Sequence, residues 1–97
     1  MKFYHTCPED YFDKQYTNGW TPYYGSTWLA ETPAESFQGS QNRSERKVIV
    51  GFELDINQVE NHSDMPVCKK LGVKYYIHRG TIPACNVWIE DTVKVKV

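Results

Sequence analysis

The run KVIVGFELDI, Lys47 to Ile56, constrains this chain more than any other segment. Val48, Ile49, Val50, Phe52, Leu54 and Ile56 are apolar, and from Val50 onward they alternate with Gly51, Glu53 and Asp55, which is the period of a strand. A strand this apolar must be covered, so the pattern predicts a central position in a sheet. With 97 residues and 11.3 kDa, the chain has material for one hydrophobic core around it and no second domain.

Shorter signals surround that strand. Lys2 to Thr6 is rich in aromatics and suits a first strand, closed at Cys7-Pro8 because proline restricts the residue before it. In PEDYFDKQYTNG, Glu9 and Asp10 fall where a helix start favours negative charge, and Tyr11, Phe12 and Tyr16 share a helical face. Asn18-Gly19 should end that helix, and Trp20 to Pro22 should lead into a loop with Gly25 as its flexible point. Thr27 to Ala30 reads as a short strand. After it, Thr32, Pro33 and Glu35 form a helix-starting capping box over ETPAESFQ.

Gly39 to Glu45 is polar and aperiodic, a predicted loop, and Asn57 to Met65 reads as loop or a helical turn. Pro66 to Leu71 suits one more helix stopped by Gly72, followed by a strand at Lys74 to His78 and a turn at Arg79 to Thr81. Ile82-Pro83 should begin a strand running through Val87, Trp88 and Ile89. The tail TVKVKV alternates and carries lysines, as an edge strand does. About six short strands with two or three short helices predict an α+β domain on a curved or split sheet.

Charge and cysteine usage narrow the function classes. Eleven basic against 12 acidic side chains give a net charge of -1, so no overall field draws the protein to nucleic acid or anionic lipid. Local basic groups at Arg43 to Lys47, at Lys69 and Lys70, and at Lys94 and Lys96 read as solvated charge. No stretch approaches the ~18 apolar residues of a membrane span, and MKFYHTC lacks a signal-peptide h-region, so a soluble cytoplasmic protein is expected. Three cysteines without a Cys-x-x-Cys pair predict free thiols.

Aromatic residues make up 14% of the chain and concentrate before position 29 and between Lys74 and Trp88. Such rings pack small cores, and they also line sites for flat ligands. Six metal-ligand candidates exist in His5, Cys7, His62, Cys68, His78 and Cys85, but only His5 and Cys7 are close in sequence, so a metal centre is not expected. Cysteine nucleophiles paired as Cys7 with His5 or Cys85 with His78 would need an exposed thiol of low pKa, and Cys85 is expected at a buried strand start. Gly-rich phosphate loops are absent.

The order of motifs carries more information than any one of them. A histidine ends strand one in FYHT; a helix, then Gly19-Trp20 and Pro22 follow; WLAE leads into a capped helix; a strong strand closes on Leu54-Asp55; KYYIH precedes Gly80, Ile82 and Pro83. This succession resembles the ADP-ribosyltransferase fold over most of the chain. The resemblance implies that His5 orients the ribose next to nicotinamide and that Thr6, where the family has Gly, contributes backbone to the carboxamide. It further places Trp28 at the ring-stacking tyrosine and Ser36 at the family serine five residues past the acidic Glu31. Tyr23, Tyr24 and Phe37 would complete the cleft.

Lys74 falls where the resemblance expects the catalytic glutamate. An ammonium there would oppose the cationic sugar that forms as nicotinamide leaves. Two functions are therefore expected from the resemblance. One is an NAD-binding protein that transfers ADP-ribose to a protein or nucleic-acid acceptor, with His5, Trp28 and Lys74 at the reacting centre. The other is a non-catalytic module or inhibitor, of the kind phages direct against host defence, that recognises a protein target on a degenerate version of the fold.

Overall fold

The computed structural model describes residues 1–38 and 46–94. They form an α+β domain whose strands are β1 (Lys2–Pro8), β2 (Gly19–Trp20), β3 (Ser26–Ala30), β4 (Arg46–Glu53), β5 (Glu60–Asn61), β6 (Tyr75–Arg79), β7 (Ile82–Pro83) and β8 (Val87–Lys94). Helices α1 (Glu9–Gln15), α2 (Pro33–Gln38) and α3 (Pro66–Leu71) interrupt them, with 3-10 turns at Ile56–Gln58 and Ala84–Asn86. Six strands make the main sheet in the order β5-β6-β3-β1-β4-β8, and β2 and β7 pair separately.

The main sheet is antiparallel throughout and is held unevenly. Strand β1 pairs with β4 along its whole length, from Lys2 opposite Glu53 to Pro8 opposite Lys47. On its other side β1 meets β3 only at Tyr4 opposite Ala30, whereas β3 and β6 pair from Ser26 opposite Arg79 to Ala30 opposite Tyr75. Two firm halves, β5-β6-β3 and β1-β4-β8, are thus joined at one residue pair and part beyond it. This is the split sheet that the sequence pattern predicts.

Strand β4 is interior, with β1 on one side and β8 on the other, and it is buried from Lys47 through Phe52. Gly51 is buried within it, because the Trp88 indole lies where a Cβ at Gly51 would stand. Phe3, Trp20, Leu29, Val50, Phe52 and Ile82 are fully buried and form the core with Cys7, Phe12 and Tyr76. Within it the Trp20 indole N–H donates to Thr27 Oγ1 at 2.8 Å, which satisfies a polar group that would be costly to bury unpaired.

Most local expectations hold, with shifted bounds. Strand β1 runs on through Pro8, which is tolerated because it is the last residue of the strand, opposite Lys47 near the start of β4. Asn18 and Gly19 do take positive φ, at 56° and 137°. Thr32 accepts a hydrogen bond from the Glu35 amide at 3.1 Å and donates to the Glu35 carboxylate at 3.2 Å, as a capping residue at that spacing should. Three expectations need correcting. Gly19-Trp20 is a strand rather than a lead into a loop; Ile82-Pro83 is its separate partner rather than the start of the last strand; and the tail's Thr92 to Lys94 belong to one long edge strand begun at Val87. The loop expected at Gly39 to Glu45 and the last three residues of the tail lie outside the described residues. No helix among the described residues is long and apolar enough to cross a membrane.

Candidate functional site

The split between β1 and β3 builds the site. Just past the single pair at Tyr4 and Ala30, the His5 side chain reaches across the gap and its Nδ1–H donates to the Trp28 carbonyl at 2.7 Å. A carbonyl can only accept, so this bond fixes the tautomer and leaves Nε2 as an acceptor with no partner among the described residues. Burial pushes the imidazole pKa below its ordinary value, more than the bond to Trp28 raises it, so His5 is neutral near pH 7. Trp20 supports the ring edge-on at 5.6 Å.

On one side of this bridge lies a hollow of about 510 Å³. Its sheet side is Tyr4, Thr6, Trp28 and Tyr75, which strand alternation places on one face with Ala30. Ser36 and Gln38 of α2 form one wall, and Met65 with Val67, Cys68 and Leu71 of α3 forms the other. Trp28 is 41% exposed, large for an indole, and meets His62 and Tyr75 edge-on at 5.8 and 6.4 Å. Neither neighbour stacks parallel on the indole.

Polar groups in this hollow are few and defined. The Ser36 hydroxyl donates to the Pro33 carbonyl at 2.8 Å, so its one proton is used, and the Thr6 hydroxyl must donate to Ser36 Oγ at 2.8 Å. Thr6 and Ser36 are both buried, and their bond pins α2 onto β1. The Tyr75 hydroxyl donates to the Glu35 carbonyl at 3.4 Å, and burial raises its pKa.

A second hollow of about 280 Å³ lies on the other side of the bridge and shares His5, Thr6 and Trp28 with the first. Tyr11 of α1 and Tyr23 and Tyr24 of the following loop surround it, with Trp20 and Pro22 beneath. The buried Gln15 amide holds loop to helix, donating to the Tyr11 carbonyl at 3.1 Å and accepting from the Tyr23 amide at 3.2 Å.

The residues expected from the sequence therefore divide. His5, Thr6 and Trp28 lie at the bridge, Ser36 in the larger hollow, and Tyr23 and Tyr24 in the smaller. Phe37 lines neither; it is half-buried with the Lys47 ammonium 5.3 Å from its ring. Lys74 lines neither as well. It precedes β6, is exposed, and meets the Glu35 carboxylate through its backbone N–H at 3.5 Å. The β6 residue that faces the larger hollow is Tyr75, one position on. No carboxylate lines that hollow among the described residues: Glu31 accepts from Tyr76, Glu35 serves the cap, and Glu60 pairs with Arg79.

The cysteines behave as free thiols, Cys7 and Cys68 buried and Cys85 exposed. Cys85 thus departs from its expected buried position, because it sits in the 3-10 turn between β7 and β8. Burial, with the nearby Asp10 charge, pushes the Cys7 thiol up to about 12, far from a nucleophile's range. Sequence reasoning missed Tyr4, Tyr75 and the α3 wall. The alternation of KYYIH with Trp28 as reference could have found Tyr75, while nothing local announces that α3 folds over the sheet. No family model, curated protein or solved structure matches the chain.

Proposed function

We propose that the cleft at the split sheet binds the nicotinamide end of NAD in a protein of ADP-ribosyltransferase-like architecture. The observation that carries this reading is the bridge from His5 Nδ1 to the Trp28 carbonyl, which sets an imidazole beside an exposed indole, two residues that line one hollow. A flat ring stacked on Trp28 gains from burial and from ring-to-ring contact, and His5 Nε2 is available to a ribose hydroxyl or amide donor. The order β6-β3-β1 supports the reading, because it sets the three strands that carry the resemblance side by side.

Chemistry in the cleft favours binding over transfer. At ~4 Å and an effective dielectric of ~20, a carboxylate would stabilise a cationic sugar by about 4 kcal/mol, and the described wall offers the neutral phenol of Tyr75 in its place. That observation favours the second reading, a non-catalytic module that recognises a protein target while keeping the ring site. Thermal shift with NAD and nicotinamide tests the binding claim. A rise in melting temperature that is lost in His5→Ala supports it, and an unchanged melting temperature at millimolar ligand rejects it. Release of nicotinamide from labelled NAD then separates enzyme from module.

A further inference from the structure

We propose that the smaller hollow is an aromatic cage for an organic ammonium cation, a quaternary or methylated amine, which adjoins the ring-binding cleft and shares Trp28 with it. Four aromatic side chains around it stay exposed: Tyr24 at 95%, Tyr23 at 50%, Tyr11 at 43% and Trp28 at 41%. Tyr11 and Tyr23 stand perpendicular, at 89° with ring centroids 5.7 Å apart, so they form adjoining walls instead of a closed stack. Such rings present negative faces that attract a cation, most strongly when the cation carries methyl groups that shed their water easily.

The cage is built and not a chance gathering of loop residues. Gln15 is buried and ties the Tyr11 carbonyl and the Tyr23 amide to one side chain, while the Gly25 carbonyl accepts from the Gly80 amide at 2.8 Å and anchors the far end of the loop. The charge around it has the matching sign. No lysine or arginine lines the hollow among the described residues, and α1 beside it carries Glu9, Asp10 and Asp13 against one Lys14. Asp10 is close enough to Cys7, itself a lining residue, for its charge to add to burial in raising the thiol pKa. The volume of about 280 Å³ suits one trimethylammonium head with its first methylenes.

The test is a chemical-shift titration of the whole protein with choline and with its neutral isostere, in which carbon replaces the quaternary nitrogen. Choline should move the Trp28 indole N–H and the Tyr23 and Tyr24 amides and bind about tenfold or more tighter than the isostere. Tyr24→Ala removes a side chain that is almost wholly in solvent, so it should leave thermal stability unchanged and weaken choline several-fold, whereas Tyr23→Phe keeps the cage. Asp10→Asn should weaken choline about two- to fivefold, with the difference shrinking as salt is added. Equal affinity for choline and the isostere overturns the proposal, as does binding that survives the double variant Tyr23→Ala with Tyr24→Ala, or no movement at these signals. A peptide bearing trimethyl-lysine distinguishes the source: tighter binding than choline assigns the cation to a protein partner, and binding no tighter assigns it to a small molecule.

Discussion

Single side chains decide which wall of the cleft can act. Tyr75, the first residue of β6, lines the larger hollow, whereas Lys74 lies just before the strand, is exposed and lines neither hollow. Lys74→Ala should therefore leave nicotinamide binding within about twofold of the parent, while Tyr75→Ala should weaken it about tenfold, both read by calorimetry or thermal shift. Loss of binding in the lysine variant would reverse that assignment. Ser36 has the opposite character, since its hydroxyl is fully engaged between Thr6 and the Pro33 carbonyl. Ser36→Ala leaves the buried Thr6 hydroxyl without its partner and should cost about 1–3 kcal/mol in urea unfolding. His5, Trp28 and Ser36 were legible because motif order brings them together. Tyr75 was not legible, because residue type in KYYIH does not tell which residues share a face with Trp28.

At the scale of elements, sequence spoke clearly where the cause is local. The capping box at Thr32 and Glu35 starts α2 where expected, and α2 is the element that carries Ser36 and Gln38 to the cleft. Thr32→Ala should cost about 0.5–2 kcal/mol, measured by denaturant melts. Strand β4 was equally legible as a central strand. What the alternation does not tell is that Gly51 is where the Trp88 indole packs against the backbone. Gly51→Ala drives a methyl into that indole and should destabilise by about 1–3 kcal/mol, more than an exposed strand position would, where alanine normally improves on glycine. The pair β2 and β7 and the short β5 escaped prediction for another reason. Two-residue strands carry no periodicity, and they exist only because distant segments of the chain meet.

For the whole molecule, the consequence of the split sheet is that one histidine joins its two halves and also lines the proposed binding cleft. His5 joins the two halves through Nδ1–H, and that donor survives protonation, so acid does not by itself cut the bridge. Protonation changes Nε2, turning an acceptor into a donor, and a ligand that donates to it is released. His78 is a buried imidazole whose Nδ1 has no partner among the described residues, and burial lowers its pKa also. Both histidines are therefore neutral in the folded protein at pH values where the unfolded chain, near the ordinary 6.5, already takes up protons. The unfolded state binds more protons in that window, so stability is complete above pH 7 and declines as pH falls through 6.5 toward the depressed folded values. Carboxylate losses, such as that of Glu60 held low by Arg79, belong to a lower window, below the ordinary 4.5. Urea unfolding between pH 8 and 5 should show this decline, and His78→Phe should flatten part of it without changing how nicotinamide binding falls with pH. The binding profile should instead follow His5, vanishing with the same proton in the parent and in His78→Phe. A stability that stays level down to pH 5, or a binding profile that shifts with His78, would separate the bridge from the titration assigned to it.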